Sequence, residues 1–262
     1  GNTNTAVGYR ALSAETLGDA NVAIGSNALR SQNNTSDTDV FNVAIGHNAG
    51  TEITTGADNT IIGGLAGDAL TTGSNNVAIG KEALSTEDAH GNNVAVGYRA
   101  LKTQNAGADA FNVAVGKDAG LSVTTGTQNT IVGGLAGDAI TTGVHNTALG
   151  YKALTTEDTG NYSVAIGSGA LEVQNYNGSA FNVAIGYESG NNITTGIKNT
   201  LVGGTAGDAL TTGSNNIIIG NDSAASAVDV SNEITLGDAN ISAFRCADQS
   251  IAALSDGRDK SD

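Results

Sequence analysis

Fourteen times in this chain a short apolar run ends in a glycine: Gly8, Gly25, Gly46, Gly63, Gly80, Gly97, Gly116, Gly133, Gly150, Gly167, Gly186, Gly203, Gly220 and Gly237. The intervals between them are 17 residues, apart from one of 21 and two of 19. A period that short, held along the chain, predicts a solenoid in which each repeat is one coil. Most compact enzyme folds are excluded by it.

The run before each glycine reads Asn-Val-Ala-Ile-Gly or a close variant, as in Asn21 to Gly25 and Asn182 to Gly186. Only Ser163 and Glu233 interrupt the asparagine column. Strand periodicity separates Val22 and Ile24 from Ala23. The larger pair is expected to fill the coil interior, leaving the alanine face outward for close approach by something else. After the glycine, pairs such as Ala28-Leu29 and Ala153-Leu154 predict a second short strand, and Thr-Thr-Gly turns close the coil. Glycine supplies the positive φ that such corners need. The absence of proline suits this, because each proline would remove a ladder donor.

A longer period lies above the coil. Phe41, Phe111 and Phe181 are 70 residues apart, and so are the Gly-Asp-Ala turns holding Asp68, Asp138 and Asp208. Four coils make one duplicated block, and the extra residues in one coil per block fall just before each phenylalanine. They predict a loop protruding on one side. One coil buries too few side chains to fold alone, so stability must come from stacking.

The net charge of −15 argues against gripping phosphate backbones, so no nucleic-acid partner is expected. No apolar run approaches the roughly 20 residues of a membrane span, and no membrane insertion is expected. The single cysteine, Cys246, excludes an internal disulfide and reads as a small buried residue. The chain opens on Gly1 rather than methionine, which points to a longer polypeptide. Asp68, Asp138 and Asp208 read as solvated turn aspartates rather than a calcium site, since the period is not that of calcium-binding β-rolls. His47, His90 and His145 lack metal-ligand spacing and read as surface residues. No metal and no cofactor are expected. Tyr9, Tyr98, Tyr151 and Tyr187 follow the strand glycine directly and are expected to pack along one edge. Each asparagine of the column is expected to satisfy backbone groups at its own corner.

The Asn-Val-Ala-Ile-Gly column, from about Asn4 to Gly237, resembles the head repeat of YadA-type trimeric autotransporter adhesins, a repeat also found in phage tail fibres. The resemblance implies an all-β fold: a left-handed parallel β-roll, or β-solenoid, of about 14 coils, packed as a homotrimer. The coils here are longer than in the adhesin head. Further on, Leu254-Ser255-Asp256-Gly257-Arg258-Asp259-Lys260 resembles the opening Ser-Asp-x-Arg-x-Lys pattern of the peptidase S74 intramolecular chaperone of phage fibres and spikes. That likeness implies a cleavage junction between Ser255 and Asp256, with Ser255 as nucleophile and Lys260 as neutral-amine base. A lysine serves so only where its pKa is depressed, and the chaperone domain would build that environment. The fragment ending at Asp262 is therefore expected not to cut itself.

The expected organisation is a β-roll rod over residues 1–237, a trimerising segment over 238–254 and the start of the chaperone over 255–262. The expected function is the structural and host-attachment segment of a trimeric viral tail fibre. It is non-enzymatic apart from self-cleavage, placed in the extracellular virion tail, and bound to a host cell-surface glycan or protein. The alternatives are the head of a bacterial trimeric adhesin, or a polysaccharide-degrading tail spike. The inserted loops, only two or four residues longer than the ordinary coil, are too short to wall a cleft within one chain for the spike's chemistry.

Overall fold

The computed structural model describes residues 3–243. Cys246, Ser255, Asp256 and Lys260 lie outside them, as do the chaperone start and part of the trimerising segment. The described chain is a parallel β-solenoid of about fourteen coils without a helix. Each coil contributes one three-residue strand, from Thr5–Val7 to Ile234–Leu236, to a fourteen-stranded sheet in sequence order. The register never slips: Ala23 pairs with Ala44, Ala44 with Ile61 and Ile61 with Ala78. At about 4.8 Å per strand the sheet is roughly 60 Å long.

The strand glycines explain that register. Gly133 has φ +135°, and a Cβ there would lie 2.4 Å from the carbonyl oxygen of Gly150 in the next coil. Two coils approach each other backbone to backbone at this corner, and only glycine in both leaves room.

The sidedness of the strand is the reverse of the sequence expectation. Ala23, Ala44, Ala78 and Ala95 point inward and are completely buried, and Ile61, Ile131, Leu201 and Ile218 occupy the same inward position. Val22 is half-buried, and Ile24 and Ile45 are exposed. The interior beneath the strand is narrow, because the chain doubles back tightly after each glycine. The valine and isoleucine columns form the outer surface of the sheet instead.

The second strand is also absent. The residues after each glycine form tight turns, because the second and fourth of them are left-handed: Asn27 and Leu29 have φ 59° and 48°, Arg99 and Leu101 55° and 48°. Alternation of that kind cannot extend into a strand. The turns still bond from coil to coil, with Leu29 N donating to Ala49 O at 3.1 Å and Leu84 N to Ala100 O at 3.0 Å. A leucine in the left-handed region costs about 1–2 kcal/mol. Complete burial of Leu29, Leu84, Leu101, Leu154 and Leu171 offsets that cost.

Packing explains the block of four coils. Where the fourth residue after the glycine is Leu29 or Leu101, the seventh is a buried polar residue, Gln32 or Gln104. Where the fourth is Gly50, Gly120 or Gly137, the seventh is the aliphatic Ile53, Val123 or Ile140. A Cβ on Gly120 would lie 3.0 Å from both Ile131 Cδ1 and Leu101 Cδ2. From the coil of Gly8 to that of Gly203, each thus carries a large aliphatic group at one of the two positions, moved between them so that neighbours interdigitate, whereas the coil of Gly220 has Ala224 and Ala227 there.

Candidate functional site

The outer face of the sheet is the most continuous surface the coils build. Its two columns are the first and third residues of each strand. The third is aliphatic in every strand of the large sheet, from Val7 through Ile24, Leu149 and Ile185 to Leu236. Leu149 is 43% exposed, Ile185 39% and Ile219 42%. The first column mixes valine or isoleucine with threonine, as at Val113, Thr130 and Thr147. Two side chains wide and roughly 60 Å long, this stripe is on the order of the largest apolar patches a monomeric protein exposes.

Aromatic residues flank the stripe. Tyr9, Tyr98, Tyr151 and Tyr187 are exposed rather than packed edge residues. Arg10, Arg99 and Lys152 stand over the first three rings, at 5.3, 4.8 and 5.9 Å from the centroids. On the other flank, Phe41, Phe111 and Phe181 are exposed at left-handed positions. In the third block this flank gains neighbours: His145 stacks on Tyr162 at 5.0 Å and Tyr162 on Phe181 at 5.1 Å. The corresponding residues of the second block are Asn75 and Asn92.

The asparagine column is structural, and it works between coils rather than at each residue's own corner. Asn129 Oδ1 accepts from the amide of Asn146 at 2.9 Å, and its Nδ2 donates to Gly143 O at 2.9 Å. The same pair of bonds recurs at Asn59 and Asn199. Asn21 and Asn93 keep the expected local contact, donating to Asp19 O and Gly91 O.

The inserted loops are anchored by a buried relay that the sequence reading missed. Gln32 Nε2 donates to Glu15 Oε2 at 3.1 Å, and Asn42 Nδ2 donates to Gln32 Oε1 at 3.0 Å. Gln104 links Glu87 to Asn112, and Gln174 links Glu157 to Asn182, in the same way. The signal was present as Glu-then-Gln at an interval of 17 residues once per block. Burial pushes the Glu157 carboxyl above the ordinary range. In Glu15 burial works the same way, but hydrogen bonds from the Gly18 and Leu17 amides outweigh it and lower the pKa.

Asp68 and Asp138 are half-buried rather than solvated, and both carboxyls are pushed up by burial first and by neighbouring acids after it. Thr155 Oγ1 donates to Asp138 Oδ1 at 2.9 Å, whereas Asp68 Oδ1 is buried with no hydrogen-bond partner among the described residues. Asp68, Asp138 and Asp208 stand four coils apart, about 19 Å, so they cannot ring one ion. His47 and His145 are exposed as expected, but His90 is half-buried, its Nδ1 3.3 Å from Glu87 Oε1. No family model, no curated protein and no solved structure matches the chain.

Proposed function

We propose that this chain is the shaft of a homotrimeric phage tail fibre, a structural segment that extends toward a host surface glycan or protein. It is non-enzymatic apart from maturation by cleavage between Ser255 and Asp256. The observation that carries the trimer is the unbroken aliphatic column on the outer face of the sheet. Three copies facing one another through that column would remove it from water along the whole rod, at about 25 cal/mol per Å². The constant strand register suits such packing, because the aliphatic residue recurs at the same strand position in all fourteen coils. The tail-fibre reading, with Ser255 as nucleophile and Lys260 as base, rests on the resemblance of residues 254–260 to the chaperone junction.

The test is the oligomeric state of the chain and of a Leu149→Glu/Ile185→Glu variant. Both side chains point away from the coil interior, so the coils should survive the change. The expected result is a trimer for the parent chain and folded monomer for the variant. Equal masses for the two would overturn the interface.

A further inference from the structure

We propose that Glu87, Asp88 and His90 form a binding site for a divalent transition-metal ion of the zinc type, present in the second block alone. The three blocks share one turn: Glu15, Glu87 and Glu157 each turn a carboxylate inward and accept the amide of the third residue on. In the first and third blocks that residue is Gly18 or Gly160, and the amide bond to the carboxylate measures 2.7 and 2.8 Å. A Cβ on Gly160 would fall 2.5 Å from the Glu157 carboxyl carbon, so the position is shaped for glycine.

The second block places His90 there instead. The side chain is forced against the carboxylate, and the amide bond lengthens to 3.3 Å although Glu87 remains completely buried. The contact of the preceding coil with this turn is kept. Thr71 N and Oγ1 donate to Asp88 O at 2.5 and 2.7 Å, as Thr141 N and Oγ1 do to Asp158 O at 2.7 and 3.0 Å. The histidine in glycine's place thus accompanies a longer anchor bond and sets an imidazole beside a buried carboxyl group.

The geometry suits an ion shared by the three side chains. Their ligating atoms all lie within 4.8 Å of one another. His90 Nδ1 and Glu87 Oε1 are 3.3 Å apart. Two donors bound at about 2.0–2.1 Å and tetrahedral angles to one zinc ion are separated by roughly 3.3 Å. Asp88 is exposed and lies at the mouth of the turn, where its carboxylate completes a three-ligand set and leaves the fourth position to water. Mixed imidazole and carboxylate donors favour zinc-like ions over magnesium. Gln104 Nε2 holds Glu87 Oε2 at 3.2 Å, so Oε1 is the oxygen offered to the ion, and neighbouring Asp109 has both oxygens engaged, accepting from Gly91 N and Asn92 Nδ2 at 2.9 Å each.

The test is calorimetric titration of the chelator-stripped full chain with zinc chloride, together with its melting temperature with and without zinc. The expected result is one saturable site per chain and a raised melting temperature. His90→Gly restores the residue of the other two blocks, so it should fold and lose both effects. Asp88→Asn should weaken binding, whereas His47→Asn and His145→Asn should leave it intact. Absence of saturable uptake, uptake unchanged in His90→Gly, or preference for magnesium over zinc would overturn the site.

Discussion

Asn129 occupies a buried position where most side chains would leave two backbone groups stranded. Its amide serves the N–H of Asn146 and the carbonyl of Gly143, both in the following coil. Asn129→Ala should therefore cost roughly 2–5 kcal/mol, the desolvation penalty of two buried polar groups, read as a lower denaturant midpoint. Asp68 presents the opposite case, a charge the fold does not favour. Burial, then the charges of Glu82 and Glu52, raise its pKa above the ordinary aspartate range. The folded state thus binds the proton more tightly than the unfolded one. That contribution is complete below the unfolded pKa and is lost as the pH rises through the raised folded value. Asp68→Asn should accordingly be more stable than the parent near neutral pH, with the advantage disappearing in acid. Denaturant midpoints measured in both conditions decide it, and an equal advantage in both would contradict the burial argument.

A coil is a packing unit whose large side chain changes place from one copy to the next. Gly120→Leu keeps a backbone that leucine adopts elsewhere, since Gly120 and Leu101 share left-handed φ values of 57° and 48°. It nevertheless overfills the interior beside Ile131 and Leu101, and should cost about 1–3 kcal/mol. Val123→Ala in the same chain vacates adjoining space, so the double variant should be more stable than the sum of the two losses predicts. Additive losses in chemical denaturation would show that the two positions do not share a cavity. The sequence made the coil, the glycine corner and the four-coil block legible, because each repeats at a fixed interval. It left the sidedness of the strand open. Period two separates Ala23 from Val22 and Ile24, but size alone suggested the wrong face for the interior. The discriminating signal was Thr60, Thr130, Thr147 and Thr200: the first strand position admits a hydroxyl repeatedly, while the second stays apolar in every strand before the last, which has Thr235 there. The second strand failed for a different reason. Left-handed leucines such as Leu84 run against residue preference and are imposed by stacking. His90 was legible only by aligning the blocks and asking why glycine is missing from one.

Across the whole molecule, the apolar surface lies where the sequence reading placed it in kind but not in identity. The outward face was expected to be alanine. It is instead a column of valine, isoleucine and leucine bordered by exposed tyrosines and phenylalanines. That exchange strengthens the case for association, since larger side chains bury more area per coil when a second and third copy cover them. The acidic balance of −15 per chain opposes association only at a distance and is screened by salt, because the columns that would meet are uncharged. Sedimentation equilibrium of the full chain tests this most directly. The expected mass is three times the 25.9 kDa of a single chain, collapsing to one chain in Leu149→Glu/Ile185→Glu. A parent chain that sediments as a folded monomer would contradict it.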